Sequence, residues 1–404
     1  MARLILSILL VVGLAGPASA RDLFTANISI GGGSPGRAGT NKARNLPDLF
    51  STSTLLGIDP GYDPAQAVAA TLNVRGLAAR INFDALSNEL RFRVPGAGID
   101  VTFDSTSRDA ALADFEEWLE GEFGSSSASN SAATRLMKAL VANSPVDPVA
   151  GNPNSLQSRM FDADFRMATA GSIQAYGEGG ILPSVTSLKL GAGYARAGDY
   201  KQAAIDVPVH FRFGLGELFA VALDMPLAAT STQGAWTLLG SGALGLHVTP
   251  ISGWTLTPAI RVGGVGSVDL GGLAAMYSGT LTSHYRIPWG PFAFGIANMG
   301  GVARTIDDIE ISGYSLTYDL QNWNLRNGIY GEMDLGAEWL GTGMAVRLLV
   351  NDSRFFGDEL WLDGYQEIGT ALAAGLPFGG LQAGLSYLVG KDYNGFNARV
   401  GLRF

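Results

Sequence analysis

The chain has 404 residues, 55 of them Gly and none Cys, with 47% hydrophobic, only 16% charged and a net charge of −9. Against an average domain with roughly 25% charge and about 7% Gly, charge is thin and glycine doubled; the missing Cys excludes disulfide scaffolds, thiolate metal sites and cysteine nucleophiles, and the acidic balance lacks the basic footprint of a nucleic-acid binder. Mean hydropathy is +0.19, yet past residue 20 no apolar run reaches the ~18 residues of a membrane helix, which leaves β-structure with apolar surface turned to its surroundings.

Residues 1–20 read as a cleaved secretory signal: Arg3 is the positive start, Leu4 to Leu14 the short apolar stretch and Ala18-Ser19-Ala20 the small-residue cleavage site. Residues 21–70 are rich in Gly, Pro, Asn and Asp and read as a leader or plug; the cluster Gly31-Gly32-Gly33 lacks the Lys-Ser/Thr pair of a phosphate loop. Residues 71–150 read as a small α+β region. Leu77, Ala79, Ile81 and Phe83 share one face of a strand, then Leu90, Phe92 and Val94, then Ile99, Val101 and Phe103, a short meander. Ser107 is placed to cap a helix with the stripe Leu112, Phe115, Trp118, Leu119, Glu122 and Phe123. After a Ser-rich linker, residues 125–131, a second helix carries Leu136, Met137, Leu140 and Val141, and residues 145–154 form a turn-rich joint. The helical segment 107–143 is expected to plug a lumen or to sit in the periplasm.

Residues 151–404 read as a barrel. Ile205, Val207, Val209, Phe211 and Phe213 alternate with Asp206, Pro208, His210 and Arg212, and the same period recurs around Asp224, Arg261 and Arg347. A soluble β-protein would turn the apolar face inward and show Lys and Glu outside. Here the second face is Gly, Ala, Ser and Thr with scattered Arg, Asp and His, which suits a crowded lumen inside a membrane barrel. The residues Trp236, Trp254, Tyr285, Trp289, Trp339, Trp361 and Tyr393 suit interfacial girdles. At ~10 residues per spanning strand the segment carries about twelve strands, with fourteen the other even number. The expected fold is therefore mainly β: a transmembrane antiparallel β-barrel with a small amino-terminal α+β region.

The sequence ends Gly395-Phe396-Asn397-Ala398-Arg399-Val400-Gly401-Leu402-Arg403-Phe404, with Phe396, Val400, Leu402 and Phe404 on one face. This resembles the terminal strand of bacterial outer-membrane β-barrel proteins. The resemblance implies residence in the outer membrane among its lipids, and it makes these four residues the address read by the barrel-assembly machinery.

No cofactor, metal or catalytic set is expected. His210, His247 and His284 are the only histidines, and Ser241, six residues before His247, has no nucleophile elbow around it. The better-motivated set is the expected lumen side: Arg212, Arg261, Arg286, Arg347, Asp206, Asp224 and His210, joined by Arg399, Arg403 and Asp319. Such groups either order water and select small polar solutes or cement a filled interior by ion pairing. The expected function is a passive pore or solute-uptake channel, not an enzyme. The alternative is a structural or export-related barrel whose amino-terminal region binds a protein, and a secreted soluble β-protein is the third reading.

Overall fold

The computed structural model describes residues 22–121, 127–169, 185–307, 310–311, 314–339, 342–376 and 379–404. The expected signal segment and the stripe residues Glu122 and Phe123 lie outside the described residues.

Strands β1 (Phe24–Ile30), β2 (Gly36–Thr40), β3 (Val68–Val74), β4 (Leu77–Phe83), β5 (Leu90–Val94) and β6 (Ile99–Phe103) form one antiparallel sheet, ordered β2-β1-β3-β4-β5-β6. The expected meander is β4 to β6. The expected leader over 21–70 is corrected: β1 pairs along its length with β3, Phe24 opposite Val74 and Ile30 opposite Val68. Phe24, Ala26, Ile28 and Ile30 bury one side of β1 at period two. The glycines that suggested a leader build the following turn, where Gly31 and Gly32 take φ of 57° and 79° at little steric cost.

Helices α1 (Thr52–Ile58), α2 (Arg108–Glu120) and α3 (Ser127–Asn143) complete this unit. Ser107 accepts from the Ala110 amide at 3.1 Å, satisfying one open donor of α2, and Gly121 ends the helix at φ 89°. The buried stripe of α2 packs on the sheet, with ring centroids of Phe92 and Phe115 5.1 Å apart and of Phe103 and Trp118 5.9 Å apart. Helix α3 begins inside the segment expected to be a Ser-rich linker. The joint after it is turn-rich as expected but buried: Asp147 is 0% exposed and its Oδ1 accepts from the Val149 amide at 2.9 Å. It leads into a helix that the sequence reading missed, α4 (Leu156–Thr169).

The barrel strands are β7 (Val185–Ala197), β8 (Tyr200–Gly214), β9 (Phe219–Thr232), β10 (Ala235–Ile251), β11 (Trp254–Ser267), β12 (Gly272–Trp289) and β13 (Phe292–Ile306). A small hairpin, β14 (Glu310–Ile311) and β15 (Tyr314–Ser315), interrupts the series. The ring continues with β16 (Gln321–Trp339), β17 (Thr342–Gly357), β18 (Gly364–Leu376), β19 (Gly379–Gly390) and β20 (Tyr393–Arg403). These twelve close into an antiparallel barrel through β20 and β7, with Tyr393 opposite Ala197 and Arg403 opposite Ser187.

Exposure settles which side faces out. Ile260 and Leu348 are 66% and 64% exposed, whereas their neighbours Arg261 and Arg347 are 3% and 8% exposed. A soluble monomer rarely shows so continuous an apolar surface; the outer wall is the lipid-facing side of a transmembrane barrel. Outward aromatics gather in two bands, with Phe213, Tyr285, Trp289 and Phe404 toward one rim and Trp236, Trp323 and Phe356 toward the other. Two expected girdle residues are corrected. Tyr393 is buried, and Trp361 lies in the connection after β17, its side chain against Gly198.

The two rims differ in their connections. At one, the near rim, short turns 215–218, 252–253 and 290–291 join the strands; at the other, the far rim, lie the long connections 307–320 and 358–363. In outer-membrane barrels the short turns face the periplasm and the long loops the exterior. The amino-terminal unit rests on the far rim. The Ala43 amide donates to the Asp269 carbonyl at 2.7 Å and the Trp361 amide to the Val141 carbonyl at 3.0 Å, while Lys138 Nζ pairs with Asp319 at 3.2 Å and Asp358 at 3.3 Å.

Candidate functional site: the lumen and its helix

Helix α4 runs inside the barrel. Its first turn meets the far end of β16, where Gln157 Nε2 donates to Asn322 Oδ1 at 2.9 Å, and its later turns reach deeper along the same strand. Small residues on the lumen wall admit it. A Cβ added at Gly263 would lie 3.1 Å from Leu156 Cδ1, at Gly301 2.8 Å from Phe161 Cε1, and at Gly328 2.8 Å from Phe165 Cζ. Interiors close-packed at this level leave no slack for a methyl group. Part of the glycine excess is thereby the seat of α4.

Ion pairs fix the helix to the wall. Arg261 donates through Nε to Asp164 Oδ1 at 2.8 Å, through Nη2 to Asp224 Oδ2 at 2.7 Å and through Nη1 to Ser241 Oγ at 2.9 Å. Thr280 Oγ1 donates to the other oxygen of Asp164 at 3.1 Å. Asp162, two residues earlier, faces Arg326 Nη2 at 3.1 Å, Arg399 Nη2 at 3.9 Å and Arg166 of its own helix at 2.8 Å. Arg326 also holds Glu367 at 2.8 Å and lies 4.9 Å over the Phe165 ring. Charges this deep are tolerated only when paired and hydrogen-bonded.

The expected lumen residues other than Asp319 lie on the inner side, but they do not make one field. Asp224 joins Arg261, with His210 Nδ1 3.6 Å away; Asp206 meets Arg399 at 3.4 Å; Arg286 and Arg347 share Glu332, Arg286 at 3.4 Å and Arg347 Nε at 2.8 Å, with Arg347 4.2 Å over the Tyr330 ring. Arg212 belongs to none of these clusters. Asp319 is corrected: it lies at the far rim with Lys138, because residue 319 belongs to a connection and not to a strand. The expected plug is corrected too, since α2 and α3 pack on the sheet and, among the described residues, it is α4 that lies inside the barrel.

The histidines do not converge. His247 Nδ1 shares a hydrogen bond with Thr257 Oγ1 at 3.0 Å, and His284 Nε2 one with the Tyr330 hydroxyl at 2.8 Å. Beside α4 a cavity of about 230 Å³ remains, lined among others by Arg166, Lys189, Asp206, His210 and Arg399. At ≈ 30 Å³ per water in the liquid that is room for roughly eight waters.

Sequence reasoning missed the helix side of the site and half of the wall. The signal for α4 was legible: Ser155 precedes Leu156, Met160, Phe161 and Phe165, a stripe at steps of four, one and four. Arg326 was legible by the same period-two rule as Arg261, flanked by outward Leu325 and Asn327 and two residues after inward Asn324 on β16.

The sequence matches no protein-family model and has no significant match among curated proteins. Solved structures align over part of the chain. The translocator domain of the autotransporter NalP from Neisseria meningitidis matches at TM-score 0.46 and 10% identity, covering 61% of this chain and 95% of that one. The β domain of the Bordetella autotransporter BrkA matches at TM-score 0.42 and 12% identity, covering 55% and 98%. An outer membrane channel from Pseudomonas putida F1 matches at TM-score 0.38 and 11% identity, covering 57% and 98%. With its closed ring of twelve strands, apolar outside and charged within, the chain is a transmembrane antiparallel β-barrel.

Proposed function

We propose that this protein is an outer-membrane barrel that carries its own amino-terminal domain to the far side of the membrane and holds it there, with α4 closing the lumen. One observation carries the reading: the chain descends from the far-rim domain through the barrel as α4, while β7 starts at the near rim, where the Thr186 amide donates to the Phe404 carbonyl at 3.1 Å. A domain that begins on the periplasmic side reaches the exterior most directly through the lumen in which its connecting segment still lies. The pore reading draws on the arginine-lined wall. The pairing of Arg261, Arg326 and Arg399 with α4 carboxylates instead favours cementing over conduction.

The test is labelling of intact cells. An epitope inserted between Gly32 and Gly33, in an exposed turn, is expected to bind antibody without permeabilisation. Labelling only after the outer membrane is breached would overturn the reading. The reconstituted protein is further expected to show no stable conductance steps until α4 is unseated.

A further inference from the structure

The outer face of the amino-terminal sheet is uncovered, and its cross-strand register aligns charge across it. Arg37 on β2 stands opposite Asn27 on β1, Asn27 opposite Thr71 on β3, Thr71 opposite Arg80 on β4, and Arg80 opposite Arg93 on β5. Like charges directly opposite each other destabilise a sheet, and Arg80 faces Arg93 with no carboxylate between them. Arg93 donates to Asn82 Oδ1 at 3.1 Å and stands opposite Asp100 on β6, so one carboxylate serves both Arg93 and Arg91. The nearby Arg91 is matched by Asp100 at 2.7 Å, and Asp22 lies at a corner of the face beside Gly39. Arg37 and Arg80 are exposed, and neither has an ion-pair partner among the described residues. All this occurs in a protein of net charge −9, whose α2 presents Asp109, Asp114 and Glu117 on a different side of the same unit.

We propose that this face binds a linear carboxylated polysaccharide laid across the strands. Three features select that chemistry. Four strand spacings of ~4.8 Å separate Arg37 from Arg93, so the row spans roughly 19 Å, an extended track and not a pocket. Each guanidinium offers a planar fork that matches a carboxylate bidentately, while Asn27, Thr71 and Asn73 between and beside them offer donors and acceptors to hydroxyls. No aromatic or large aliphatic side chain of these strands points outward: Phe24, Ile28, Leu72, Ile81 and Phe92 are all buried on the opposite face. The track thus lacks both the stacking platforms of single-stranded nucleic-acid sites and the apolar anchors of protein interfaces.

The purified full-length protein in detergent is titrated calorimetrically at low ionic strength with alginate oligomers, dextran oligomers, polyglutamate and single-stranded DNA. Alginate is expected to bind, more weakly as salt is raised, and dextran not to bind. Arg80→Ala is expected to weaken binding about threefold and Arg37→Ala with Arg80→Ala about tenfold, the scale of exposed charge pairs, with the heat-modifiable mobility of the barrel unchanged. Failure of the wild-type protein to bind alginate, undiminished binding by the double variant, or equal binding of polyglutamate or DNA would overturn the assignment. The titration uses purified protein, so its outcome is separate from that of the cell-labelling test.

Discussion

Arg261 and Asp164 are ion-pair partners, yet removing one should not equal removing the other. Both side chains are almost fully buried, at 0% and 1% exposure. In Asp164→Ala the guanidinium keeps Asp224 and Ser241, so the loss is one charge-assisted hydrogen bond, about 1.5–3 kcal/mol. Arg261→Ala leaves Asp164 and Asp224 buried without their cation, about 3–5 kcal/mol. The difference of about 2 kcal/mol is roughly a 30-fold ratio in the equilibrium between seated and unseated α4. Planar-bilayer recording reads that ratio directly: wild-type closed, Asp164→Ala opening rarely, Arg261→Ala opening roughly 30 times more often. Equal open probabilities for the two variants, or silence in both, would refute the idea that these pairs hold the helix in the lumen. A double-mutant cycle adds a second check, because the coupling vanishes if α4 is held elsewhere.

Gly301→Ala places a methyl against the Phe161 ring and Thr280 and should destabilise the barrel by about 1–3 kcal/mol, visible as a lower urea midpoint whose shift is smaller, but not zero, with α4 deleted. Ile260→Arg puts a charge on the lipid side near mid-strand and should cost about 2–4 kcal/mol in liposome folding titrations. Thr257→Ser, three residues away on the inward side, should cost far less. Burial holds the Asp147 carboxyl above the usual carboxylate range despite Arg75 3.4 Å away. A raised native value means the folded state binds the proton more readily, so its stability contribution is present at low pH and lost as pH rises through that value. Hydrogen exchange at the joint should therefore slow as pH is lowered from neutrality toward about 4, after correction for the intrinsic rate. Asp147→Asn should abolish that pH dependence.

Much of the barrel was legible in the sequence because its rule is local. A strand with one side in lipid and one in a filled lumen must alternate, so Arg261 between Ile260 and Val262 declares its side without knowledge of its neighbours. The inner partners were not legible. Which carboxylate meets Arg261 depends on the depth of α4 in the barrel, and Asp164 is 97 residues away in sequence. The amino-terminal sheet failed for a related reason. Strand β1 has the same alternation as β4, but its glycine-rich surroundings resembled a loop, and its partner β3 lies beyond α1. Composition averaged over a segment hid a strand that side-by-side periodicity would have shown.

The seam between β20 and β7 is zipped by eleven facing residue pairs, from Tyr393–Ala197 to Arg403–Ser187. A closed hoop with a segment of its own chain inside is a threaded object: the rod cannot slip out sideways, and the bulky cap at the far rim prevents withdrawal through the hoop unless the cap unfolds. Such an arrangement dictates chronology. Either the hoop was buttoned around a rod already in place, or the cap passed through as an unfolded strand and folded on arrival, and the second route makes folding beyond the far rim the ratchet that prevents its return.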